Sequence, residues 1–121
     1  MIGALPCNFM ELNCTTEAGL SLATLSGRLD SSTSALVLSQ LSAWIDRPKP
    51  LLILDTSALE YISSDGLRTL LAVAKKIRAA GGKMALVGMR EHIREIYEIS
   101  GFQTIIPSYA DAAAARAALL G

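Results

Sequence analysis

Leu51-Leu52-Ile53-Leu54 is an unbroken apolar run, preceded by Pro50 and followed by Asp55. Four apolar residues in succession suit a strand covered on both faces, as in a parallel sheet with helices on either side. Upstream, Val37, Leu38, Leu41, Trp44 and Ile45 recur at helical spacing, with Ser31 or Ser32 as the expected N-cap and Pro48 and Pro50 as the stop. Downstream, a loop is expected after Leu54, followed by a helix carrying Leu67, Leu70, Leu71, Ala74 and Ile77 on one side. Lys75, Lys76 and Arg78 occupy its last turns, where the helix dipole favours cations, and Gly81-Gly82 ends it.

The same reading extends to both ends. Phe9 to Thr15 alternates as a strand, Glu17-Ala18-Gly19 turns the chain, and Leu20 to Ser26 returns as a second strand. Lys83 to Gly88 is a short apolar strand, and Arg90 to Ser100 a helix with Ile93, Ile96 and Tyr97 inward. Gln103 to Ile106 reads as a strand and Tyr109 to Leu120 as a last helix. The order β-β-α-β-α-β-α-β-α predicts an α/β fold: a mixed β-sheet, hairpin plus parallel strands, with about four helices covering it. Residues 1–8, broken by Gly3 and Pro6, are expected to be a loose leader before a single domain over 9–121.

Composition narrows the function. The chain has 121 residues, enough for one core, and 51% are apolar while only 5% are aromatic. Eleven basic residues balance eleven acidic ones, so no cationic excess is present to displace counterions from nucleic acid or to hold an anionic membrane. No apolar run approaches the roughly 18 residues of a membrane span, and Met1 to Phe9 lacks a secretory signal's basic and apolar regions. A cytoplasmic protein is expected. Cys7 and Cys14, with His92 far away, do not make a zinc site and read as reduced thiols. No metal and no cofactor is expected: there is no phosphate-binding loop and no Gly-x-Gly-x-x-Gly. A Ser-His-Asp triad would need His92, which lies between Arg90 and Arg94 on an apparently solvated helix face. An acidic partner is the alternative use of those two arginines.

The segment from Leu54 to Leu67, LDTSALEYISSDGL, follows the buried strand and opens the long helix. The carboxyl edge of such a sheet is where sites are commonly built. A helix N-terminus there offers free N–H groups to a phosphate on Ser63 or Ser64; a serine so placed is by spacing alone most often just an N-cap, and capping and phosphorylation are compatible. Gly66 is expected to keep the first turn open to a partner. Asp30 and Asp55 could pair as acid and base or hold Mg²⁺, but loop capping explains them better.

The run Ile62-Ser63-Ser64-Asp65-Gly66-Leu67 resembles the signature of STAS domains, the fold of bacterial anti-sigma factor antagonists. Ser26-Gly27-Arg28-Leu29-Asp30 resembles the family's Gly-x-Leu-Asp turn. Gly81-Gly82 before Lys83 to Val87, and Ile99-Ser100-Gly101-Phe102, are also family-like. The resemblance runs from about residue 9 to the end. It implies a non-enzymatic switch protein in transcription regulation, phosphorylated on Ser64, with Asp30, Asp55, Ser63, Asp65 and Gly66 lining the partner-binding surface. Ser63 stands where many relatives have Asp, and Asp65 where Ser or Ala is more usual. The partners so implied are an anti-sigma factor serine kinase and a phosphatase of the Mg/Mn-dependent type; a weak homodimer is also compatible. The alternative is an unmodified STAS interaction subunit of a transporter or signalling scaffold. A third, a small hydrolase using Ser64, is not expected.

Overall fold

The computed structural model of the chain describes residues 11–17 and 19–120. The leader 1–8, with Cys7, and the expected strand start at Phe9 lie outside the described residues. Five strands form one sheet in the order β1-β2-β3-β4-β5: β1 Glu11–Glu17, β2 Leu20–Leu29, β3 Leu51–Ile62, β4 Lys83–Val87 and β5 Ser108–Tyr109. The helices are α1 Ser34–Trp44, α2 Ser64–Ala79, α3 Glu91–Ile99 and α4 Ala112–Leu120. Among the described residues only β1 and β2 are antiparallel, with Glu17 opposite Leu20 across the hairpin. The β2–β3, β3–β4 and β4–β5 pairs are parallel. The expected mixed sheet with four helices is what the chain forms.

Apolar residues on both faces explain Leu51 to Leu54. Leu52 and Leu54 point with Ala23, Leu25, Met84 and Leu86 into the larger core, beneath Val37 and Leu41 of α1 and Leu70, Val73 and Ile77 of α2. Ile53 points the other way with Leu20, Ala85 and Val87, against Ala115 and Leu119 of α4. Two apolar layers on one sheet remove both faces of its centre from water, which is the dominant favourable term in folding. Gly82 makes the β3–β4 entry possible: a Cβ there would lie 1.8 Å from Pro50 O, the carbonyl that accepts from Lys83 N.

Four expectations are corrected. β3 is twelve residues long and absorbs the loop expected after Leu54. β2 likewise runs to Leu29, with register shifts between Thr24 and Ser26 and between Gly27 and Arg28. Neither Ser31 nor Ser32 caps α1; Thr33 is its N-cap residue, and its side chain does not cap the helix. Gln103 to Ile106 is not a strand. Gly101 at φ 75° ends α3, and Phe102–Thr104 form a 3₁₀ turn with Ile105 and Ile106 N–H both donating to Phe102 O. The sheet resumes only at Ser108. Local hydrogen bonds win there because Phe102 and Ile106 can reach the core from a turn as well as from a strand.

Candidate functional site

Beyond Val87 the β3–β4 pairing ends while the β2–β3 pair runs on. β4 pairs with β3 only from Leu51 to Asp55, whereas β2 continues beside β3 to the Leu29–Ile62 pair. The projecting ribbon carries the start of α2. Ser63 N donates to Leu29 O at 2.9 Å, so the last strand bond is also the first constraint on the helix. Ser63 then has extended backbone, its Oγ accepts from Gly66 N at 3.2 Å, and Leu67 N donates to its carbonyl at 2.9 Å. The N-cap is therefore Ser63, and Ser64 is the first helical residue. With the cap filled by its neighbour, the Ser64 side chain is exposed.

Asp30 lies next in chain to Leu29, beside this helix start. Its Oδ1 accepts from Ser32 N at 2.9 Å and from Ser32 Oγ at 2.7 Å, and Arg28 Nε is 3.7 Å from Oδ2. The Ser32 hydroxyl above all, then the Ser32 backbone N–H, Arg28 and Thr33, hold its carboxyl below the usual range against a smaller desolvation effect. Thr33 ties the same turn down: its hydroxyl donates to Arg28 O at 2.9 Å and accepts from Asp30 N at 3.0 Å. Asp65, in the first turn of α2, forms an ion pair with Arg68 at 2.9 Å.

Asp30, Ser63, Ser64 and Asp65 thus meet at one corner. Two residues expected there behave differently. Asp55 belongs to the wide part of the sheet, where it pairs with Thr24 and Val87 and its Oδ1 accepts from Ser57 N at 2.9 Å. At about 3.3 Å per residue it stands on the order of 20 Å back along β3 from the start of α2. It braces an irregularity in the strand and does not line the corner. Nor can it share a metal ion with Asp30. Gly66 is at the corner but buried, and not open to a partner. A Cβ on it would fall 2.6 Å from Leu29 O and 2.9 Å from Leu29 Cγ and Ile62 Cγ1. The glycine lets α2 approach the end of β2.

Residues that spacing did not single out complete the surface. The Arg28 guanidinium lies 4.2 Å from the centroid of the Tyr61 ring, a cation–π contact across the β2–β3 ribbon. Tyr61 is 39% exposed, a large aromatic surface at this corner. Only strand register brings the two together, so sequence spacing held no signal for them. The face of α3 that read as solvated is also used: Arg90 Nε donates to Ser57 O at 3.0 Å, and His92 Nε2 lies 2.7 Å from Glu60 O. These side chains cover the edge of β3 that β4 leaves unpaired, although both remain exposed. Cys14 sits apart on β1, where burial pushes its thiol up.

The sequence model of the STAS domain matches residues 11–115. A Bordetella bronchiseptica protein named as an anti-sigma factor antagonist, BtrV, is 38% identical over 109 residues, covering 90% of this chain and 94% of that one. An anti-sigma F factor antagonist of Paenibacillus polymyxa is 29% identical over 101 residues, covering 83% of this chain and 86% of its own. Among solved structures, an anti-sigma factor antagonist from Mycobacterium paratuberculosis superposes with a TM-score of 0.85 at 24% identity, over 94% of this chain and 97% of that one. Sequence and fold therefore agree that this chain belongs to the STAS domain family.

Proposed function

We propose that this protein is an anti-sigma factor antagonist: a binding module that docks an anti-sigma factor through the corner at the start of α2 and is released when Ser64 is phosphorylated. The observation that carries the reading is that Ser63 fills the helix cap, so that Ser64 is exposed as the first residue of α2. A kinase can reach such a hydroxyl without unfolding the helix. The kinase is proposed to be the anti-sigma factor itself, and a phosphatase of the Mg/Mn-dependent type to reverse the step. The chain is read as a substrate and not an enzyme, acting in the cytoplasm, with residues 9–121 as a single STAS domain.

Electrostatics suffices for the switch. A phosphoserine carries about −1.5 to −2 charges at neutral pH. Placed in a protein interface where the partner supplies no cation, it costs several kcal/mol, while a hundredfold loss of affinity corresponds to only about 2.7 kcal/mol. The helix N-terminus tolerates the phosphate in the free protein, through its unpaired N–H groups. The Asp30 and Asp65 carboxylates add like charge at the same corner. Asp55, standing away from it, is given no part.

Incubation with the cognate serine kinase and ATP tests the reading. One phosphate should be incorporated and map to Ser64 by mass spectrometry; Ser64→Ala should abolish it while keeping anti-sigma factor binding. Ser64→Glu should weaken binding, by less than phosphate does. No incorporation would favour an unmodified scaffold, and incorporation that survives Ser64→Ala would overturn Ser64 as the acceptor.

A further inference from the structure

Arg68 stands one turn beyond Ser64 and three residues beyond Asp65. Side chains on a helix lean toward its N-terminus, and residues three and four apart are neighbours, so Arg68 reaches over both positions. Its Nη1 is 2.9 Å from Asp65 Oδ1, with the two side chains 76% and 44% exposed. An ion pair so open to water is weakly held and free to rearrange. A phosphoserine dianion offers about twice the charge of a carboxylate and oxygens that a guanidinium can bind in bidentate fashion. Arg28 near the end of β2 and Asp30 just beyond that strand are also charged groups at this corner. Arg28 is already engaged there, by Asp30 at 3.7 Å and by the Tyr61 ring at 4.2 Å.

We propose that Arg68 is the internal counterion of the phosphorylated site, leaving Asp65 for the Ser64 phosphate when that group is added. The inference rests on the reading of Ser64 as the phosphoacceptor. It gives Asp65 a role in both states. Before modification its charge is neutralised by Arg68, so a docking partner meets a balanced pair. Afterwards Arg68 is drawn to the phosphate, and the Asp65 carboxylate is uncovered beside it. A single modification thereby presents two anionic groups to the partner.

The test uses the full chain with phosphoserine placed at position 64 during translation, so that it does not depend on the kinase. Phosphorus NMR then follows the second ionisation of the phosphate against pH. In the wild-type chain it should lie about half a unit below that in Arg68→Ala, as expected for a helical ion pair with a doubly charged partner. Arg68→Lys should recover part of the difference, because it restores charge but not the fork. Curves for wild type and Arg68→Ala that coincide within about a tenth of a unit would overturn the proposal. Failure of the kinase to modify Ser64 would instead sink the functional reading while leaving this titration unchanged.

Discussion

The two halves of β3 are built on different principles. From Leu51 to Asp55 the strand has a neighbour on each side and apolar side chains on each face. From Thr56 to Ile62 it pairs with β2 alone, its other edge covered at two points by Arg90 and His92. Of its side chains there, Leu59 and Ile62 enter the core, while Ser57, Glu60 and Tyr61 are exposed. The first half holds the domain together. The second is a bracket that delivers the corner of Asp30, Ser63 and Ser64 away from the packed centre.

Breaking the first half should have the largest effect. Leu54 is fully buried, and Leu54→Ala should cost about 2–5 kcal/mol, read as a lower midpoint in urea denaturation. If a loss below about 1 kcal/mol were measured, the central strand would not be the anchor described. A smaller loss is expected at the far end of the second half. Gly66→Ala pushes a methyl group against Leu29 O, and overpacking of this kind costs about 1–3 kcal/mol. Partner binding should weaken with it, because α2 must shift away from β2. A variant as stable as wild type, with binding intact, would show that α2 does not need its close approach.

The smallest effect concerns acid. The Asp30 carboxyl is held below its ordinary value, chiefly by the Ser32 hydroxyl. A group whose folded pKa is depressed contributes stability above its unfolded pKa, about 3.9. That contribution is lost as pH falls from there through the lower, folded value. Asp30→Asn should therefore lose a little stability at neutral pH and show less further loss on acidification below about pH 4 than wild type. The difference should appear in thermal melts compared at neutral and acid pH. Parallel loss in the two proteins would mean that the Asp30 turn contributes nothing to the acid response.

The contrast also separates what could be read early from what could not. Leu51 to Leu54 and the stripe through Leu67, Leu70, Ala74 and Ile77 were legible because burial imposes a period on apolar residues. Ser64 was legible through a short motif beside a helix start. The continuation of β3 was hidden, since Asp55, Thr56 and Ser57 break the apolar run and the register with β2 shifts alongside them. Asp55 was accordingly misplaced into a loop at the site. Gly66 was read as an opening for a partner because its neighbour, Leu29 O, comes from a strand 37 positions earlier.

By itself, then, the sequence determined the order of elements, the strand at the centre of the sheet and the serine at the mouth of α2, all consequences of local periodicity and local motif. The tertiary structure decided which serine caps the helix, that Asp55 stands apart, that Gly66 is a packing residue and that Arg28 lies over Tyr61. Those depend on register between strands and on contacts between distant segments, and neither leaves a mark on the spacing of residues along one chain.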